Sequence, residues 1–118
     1  MLSTKNRFHS RKSINSVYKF GDNFTLNNIS LRRIIRKTEY PTRVAVVVSK
    51  KINKSAVVRN RIRRRIYEIV RLLDLELNSR YDIVINVYNE SVSEMNFEDL
   101  TQNIKELFIK AGCITDTK

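Results

Sequence analysis

The stretch RVAVVVSKKINKSAVVRNRIRRRIYEIVRLLDLELNSRYDIVINVY, residues 43–88, decides the fold. Its first seven residues, Arg43–Ser49, are β-branched and apolar on both sides, the composition of a central strand. Its last eight, Tyr81–Tyr88, repeat that signal. Between them, on a wheel turning ~100° per residue, Val58, Ile62, Ile66, Ile69, Val70 and Leu73 share one face. Asn60, Arg61, Arg63, Arg64 and Arg71 occupy the other sides. Arg59 and Arg65 fall on the margins of the apolar stripe, where a long stem can pack while its charged head reaches solvent. The spacing predicts a helix over roughly 55–73, joining two strands.

Outward from this core, Ile14, Val17 and Tyr18 recur at i, i+3 and i+4, predicting a short helix from about Arg11 to Phe20 that Gly21 stops. Phe24–Lys37 reads as two strands or one bent strand, because Ile29, Leu31 and Ile35 alternate with polar neighbours. A last helix is predicted over 96–111, with Phe97, Leu100, Ile104, Leu107, Phe108 and Ala111 as its core stripe and Gly112 as its end. With only two glycines and one proline, the turns must use Asn, Asp and Ser. The expected fold is an α/β (α+β) two-layer sandwich in the order α-β-β-α-β-α, with a small mixed sheet of about four strands. Helices pack on one face of the sheet and the other stays partly open.

A chain of 118 residues with 42% apolar content suffices for one modest core. Residues 1–118 are therefore expected to form a single domain, with 1–10 flexible and 113–118 a frayed tail. The polar, basic start MLSTKNRFHSRK has no apolar stretch of a secretory signal, and no run approaches the ~18 apolar residues of a membrane span. A cytoplasmic protein with no membrane association is expected. Cys113, the one cysteine, cannot close an intramolecular disulfide, and no Cys/His cluster exists to hold a metal.

Catalysis by the chain's own side chains fails early. The one histidine, His9, sits in a polar arm, and Cys113 has no base near it in sequence. Asp74, Glu76 and Asp82 flank the loop before the second strand, where carboxylates are usually solvated. No Gly-rich loop is present to cradle a phosphate. No catalytic and no metal-ligating residue is assigned.

Charge is the strongest signal. The net charge is +11, with a net of +16 over residues 1–73 and −5 over 74–118. One strongly positive side concentrates polyanions. Six arginines lie between Arg59 and Arg71, and Glu68 alone opposes them. A merely solvated helix face mixes signs so that Glu pairs with Lys or Arg four residues on. Here the guanidinium groups repel one another, and phosphate oxygens would relieve that repulsion through forked hydrogen bonds. Lys50, Lys51 and Lys54 extend the positive surface to the helix N-terminus, whose free N–H groups also attract phosphate.

Residues 49–66, SKKINKSAVVRNRIRRRI, resemble the signature of the bacterial ribonuclease P protein subunit. In that family Ser/Ala-Lys-Lys and a short loop precede an Ala, then Arg-Asn-Arg, an aliphatic residue and two basic ones. Here these are Lys50, Lys51, Ala56, Arg59, Asn60, Arg61, Ile62, Arg63 and Arg64. The likeness extends over nearly the whole chain, from NRF and VYKFG through VAVVVSKK and YDIVINV to FEDLTQNIKELFIKAG.

The resemblance implies an α/β sandwich with a left-handed β-α-β crossover, where pattern alone defaults to a right-handed one. It implies that a catalytic ribonuclease P RNA cleaves precursor tRNA with magnesium ions held by that RNA, and that no obligate protein partner is needed. Lys50, Lys51, Lys54, Arg59, Asn60, Arg61, Arg63 and Arg64 would bind the catalytic RNA. Arg7, Arg11, Lys12, Ile14, Tyr18 and Arg32 would line a cleft for the 5′ leader. The chain departs from the family at Ile14, often Phe, and at Arg32, where a sheet Tyr is usual. Such a cleft would stack bases less and grip phosphates more. Tyr18 itself reads equally as a core contact of a short helix. Tyr67 replaces a usual basic residue, and Arg65 a usual apolar one.

Three other readings compete. Composition alone fits a ribosomal or general structured-RNA-binding protein equally well. A DNA-binding regulator would want its basic helix in a helix-turn-helix pair, whereas strands flank this one. A protein-only nuclease would want an acidic metal cluster.

Overall fold

A computed structural model describes residues 11–35, 42–73 and 81–113, with side chains from Ile14 onward. The chain runs α1 (Arg11–Phe20), β1 (Asp22–Leu26), β2 (Ile29–Ile35), β3 (Arg43–Val47), α2 (Ala56–Leu73), β4 (Tyr81–Val87), a single 3₁₀ turn (Glu90–Ser93) and α3 (Phe97–Lys110). The stretch read as two strands or one bent strand is a tight antiparallel hairpin, with Leu26 opposite Ile29 and two asparagines between them. Asn27 takes φ 55°, a conformation that Asn tolerates better than most side chains and that two-residue hairpin turns require.

The four strands stand in the order β1-β2-β4-β3. β2 pairs antiparallel with β4, and β3 pairs parallel with β4, so α2 is the crossover between two adjacent parallel strands. Strand alternation divides the sheet into two faces. Ile29, Leu31, Val44, Val46, Ile83, Ile85 and Val87 point to one, where α2 and α3 cover them with Ile62, Ile66, Ile69, Leu100, Ile104, Leu107 and Phe108. Burying each such side chain contributes about 1.5–3 kcal/mol, so this layer dominates stability. Ala45 and Val84 point to the opposite face, where, among the described residues, the short α1 covers them through Val17, so helices lie on both faces and not on one as expected.

Local chemistry fixes the ends of these elements. The Gly21 amide bonds to the Val17 carbonyl at 2.8 Å, and a Cβ there would stand 2.5 Å from that oxygen and 2.8 Å from the Arg33 carbonyl. Only glycine lets α1 turn directly into β1. Asn96 caps α3 by accepting from the Glu98 and Asp99 amides. Gly112, at φ 73°, ends it. The Gly112 amide bonds to Ile109 and the Cys113 amide to the Phe108 carbonyl, the paired bonds of a Schellman closure.

That closure corrects one expectation: Cys113 belongs to the core and not to a frayed tail, being fully buried. Phe97 corrects another. It lies in the first turn of α3, 40% exposed, with the Arg65 guanidinium 6.0 Å from its ring centre. Asp82 is a third, a buried strand residue held by both nitrogens of a forked bond from Arg43 at 2.9 and 2.8 Å. The expectations for residues 1–10, including His9, for Asp74 and Glu76, and for 114–118 lie outside the described residues.

Candidate RNA interface

α2 begins at a side-chain cap. Ser55 Oγ accepts from the Val58 amide at 3.3 Å, and Asn53 Oδ1 accepts from the Ser55 amide at 2.8 Å. Its apolar stripe then anchors it: Ile62, Ile66, Ile69 and Val70 are fully buried, and Val58 packs partly. Tyr67 joins that buried side, and its hydroxyl accepts the Val46 amide at 3.1 Å. Val46 lies on β3, an edge strand, so Tyr67 closes a backbone donor that the sheet leaves open. A fold role therefore accounts for the aromatic at a usually basic position.

Burying the isoleucines turns the charged residues outward. Asn60, Arg61 and Arg64 are exposed, as are Lys50, Lys51 and Lys54 ahead of the helix, while Arg59 and Arg63 are half-buried. Asn60 Oδ1 accepts from Arg63 Nη2, so the asparagine orients its neighbour's guanidinium. Among the described residues, no acidic side chain forms an ion pair with Arg59, Arg61, Arg63 or Arg64; Glu68 pairs with Arg71. That pairing is the largest of the causes that lower the Glu68 carboxyl, to about 2. The Arg59 Nε is buried without an acceptor among the described residues.

Arg65 behaves differently. It donates to the Val92 carbonyl at 2.7 Å and to the Met95 carbonyl, tying α2 to the 3₁₀ turn and the approach to α3. Burial and, after it, the neighbouring Arg61 charge lower its guanidinium from the ordinary arginine value. An arginine at a usually apolar position serves here as a structural clamp.

The predicted cleft residues meet on the other face of the sheet. Tyr18, from α1, donates its hydroxyl to Asn86 Oδ1 at 2.6 Å. Arg32, from β2, donates to the Tyr18 carbonyl at 3.2 Å and holds its guanidinium 5.6 Å from the Tyr18 ring centre. Burial raises the pKa of the Tyr18 hydroxyl from its ordinary value, and the hydrogen bond it donates to Asn86 opposes that rise. Ile14 packs beside Val17 over Ala45 and Val84. Of the remaining predicted cleft residues, Arg7 lies outside the described residues, as do the side chains of Arg11 and Lys12.

Sequence reading missed three residues of this face. Ser30 Oγ and the Tyr88 hydroxyl share a hydrogen bond of 2.8 Å, and Asn86 stands between the two tyrosines on β4. The signal was present in YDIVINVY. Asp82, Val84, Asn86 and Tyr88 alternate with Ile83, Ile85 and Val87, so polar side chains in a central strand mark the less covered face.

Both the sequence and the fold are similar to those of known proteins. The family profile described as Ribonuclease P matches residues 2–112. The ribonuclease P protein component of Pseudanabaena is 34% identical over 111 residues, covering 94% of this chain and 95% of that protein. The one from Symbiobacterium thermophilum is 35% identical over 108 residues, covering 92% of each. Among solved structures, the RNase P protein of Staphylococcus aureus superposes with a TM-score of 0.82 at 20% identity, covering 93% of this chain and 98% of that one. The RNase P protein of Thermotoga maritima gives 0.77 at 20% identity, covering 88% and 96%.

The chain therefore belongs to the ribonuclease P protein family. It acts as the protein subunit in 5′ processing of tRNA, within a ribonucleoprotein endoribonuclease. Element order and the left-handed sense of the β3-α2-β4 crossover are consistent with that family. Among the described residues, no helix is long and apolar enough to cross a membrane.

Proposed function

We propose that the outer face of α2 binds the catalytic RNA of ribonuclease P, and that the cleft between α1 and the sheet holds the 5′ leader of precursor tRNA. In the first surface, Lys50, Lys51, Lys54, Arg59, Asn60, Arg61, Arg63 and Arg64 meet phosphates and sugars. In the second, Tyr18 and Arg32 form the floor, with Ile14 beside them and Arg7, Arg11 and Lys12 contributed by the chain around α1. The catalytic groups belong to the RNA, which also holds the magnesium ions. The protein neutralises RNA charge and raises affinity for substrate.

The observation that carries this reading is the arginine face of α2, which lacks acidic partners among the described residues and stands on a fully packed isoleucine base. Like charges at i, i+4 cost stability in the free protein. Placing Arg59 and Arg63 at that spacing is explained when a polyanion offsets the repulsion.

The test is a titration of the assembled ribonucleoprotein with precursor tRNA and with mature tRNA. Precursor is expected to bind tighter, and Tyr18→Ala is expected to remove about 1–3 kcal/mol of that advantage, the scale of a base–aromatic contact. Equal losses for both tRNAs would reduce Tyr18 to a support of the fold.

A further inference from the structure

The central polar residue of the open sheet face, Asn86, is 8% exposed. Its carbonyl oxygen is taken by the Tyr18 hydroxyl at 2.6 Å, while its amide nitrogen is buried with no hydrogen-bond partner among the described residues. A buried amide donor without an acceptor is destabilising, since it has lost water and gained nothing. Such a group in a packed strand calls for a reason. Val84, two residues earlier on the same face, shows that an apolar side chain packs well there. On the other flank of Asn86, Ser30 and Tyr88 satisfy each other at 2.8 Å and offer it no bond. Tyr88 is 55% exposed, so an aromatic ring stands next to the orphan donor.

We infer that Asn86 reads one nucleotide of the RNA strand in this cleft, as a donor-only amide that selects guanine and uracil by the keto oxygen at purine C6 or pyrimidine C4. The inference rests on the leader-cleft reading and adds a specificity-determining residue to it. The logic is that of hydrogen-bond inventory. A free Asn both donates and accepts and cannot distinguish keto from amino edges. Here Tyr18 occupies the acceptor, which leaves only N–H to face a ligand. Guanine O6 and uracil O4 accept such a bond, whereas adenine N6 and cytosine N4 present N–H groups that meet it donor to donor. Single-stranded RNA is read in this manner, with bases splayed onto aromatic rings and bonded along their edges. The donor is closed to solvent in the free protein, so a base edge must displace the side chains covering it, and it then forms the bond without stripping water from the amide.

The experiment is a binding titration of the assembled ribonucleoprotein with precursor tRNAs in which each leader nucleotide in turn is changed from U to C and from G to A. The wild-type protein is expected to favour the keto base at one leader position by about tenfold in Kd, equal to ~1.4 kcal/mol. Asn86→Ala should erase that preference, and Asn86→Asp, which only accepts, should reverse it toward A and C. Tyr18→Phe, by freeing the carbonyl oxygen, should also erase it. Mature tRNA should bind all four proteins alike. If a leader tightens wild-type binding but no position separates keto from amino bases, the role of Asn86 is overturned while the cleft stands. A preference that survives Asn86→Ala or Tyr18→Phe, or fails to reverse in Asn86→Asp, overturns it too. Leadered and leaderless tRNA bound with equal affinity would overturn both readings. If one variant does not fold, the remaining variants still assign the preference, and the absence of any preference in the wild-type protein overturns the role on its own.

Discussion

Replacing Arg59 and Arg61 together with alanine should separate RNA affinity from stability, moving one and sparing the other. Arg61 is exposed, and neither residue has an acidic partner among the described residues. Removing them therefore breaks no ion pair there. Arg59 also carries a buried Nε without an acceptor among the described residues, and deleting it removes a desolvation cost that offsets the packing of its stem. Alanine is the best helix former, and Ile62, Ile66 and Ile69 remain to hold α2 in place. Thermal unfolding should stay within about 1 kcal/mol of the parent. Binding to the catalytic RNA should instead weaken by about 1–3 kcal/mol per arginine, the scale of a charge-assisted hydrogen bond. For every phosphate no longer neutralised, the slope of log K against log salt should also flatten by about 0.7–0.9. The assay is RNA titration at several salt concentrations, with circular dichroism to confirm the fold. Unchanged affinity in a well-folded double variant would refute the assignment of this face.

Other consequences follow from the fold. Arg65→Ala should destabilise the protein by about 1.5–3 kcal/mol, as two buried-side carbonyls lose a charged donor; denaturant titration would show it, and an unchanged midpoint would contradict the clamp. Gly21→Ala should cost about 1–3 kcal/mol, because the new Cβ meets two backbone oxygens, again read from the unfolding midpoint. Burial pushes the Cys113 thiol up to about 12, so the native protein should resist thiol reagents at pH 8 and react once unfolded. Since the folded value lies above the unfolded one, near 9, this group's contribution to stability is full below pH 9. It is lost as pH rises toward 12.

What the sequence made legible was whatever depends on periodicity. The isoleucine stripe of α2, the strands β3 and β4 and the stop at Gly112 are each written in local spacing and each stands in the structure, but β3, read as a central strand, lies at the sheet edge. The glycine at 21 was legible as a helix stop, but not as a close approach to Arg33, which is brought in by β2. Arg65 looked like one more cation because its acceptors, Val92 and Met95, lie 27 and 30 residues away. Phe97 matched the core stripe of α3, but its first-turn position leaves it beside Arg65 and solvent. Asn86 shows the same limit within the site. Alternation tells that it shares a face with Val84, yet which face α1 leaves partly open emerges only when Val17 seats on Ala45 and Val84.

The central claim is that this chain serves an RNA catalyst. It is tested most directly by reconstitution with the cognate catalytic RNA and precursor tRNA at near-physiological salt and low magnesium. The protein freed of RNA should leave the substrate intact, and adding it to the RNA should strongly accelerate cleavage at the correct 5′ site. That advantage should shrink at high magnesium or salt, as added cations take over neutralisation and weaken the attraction between protein and phosphate. Accurate 5′ cleavage by the RNA-free protein, or no stimulation of the RNA under any of these conditions, would contradict the account.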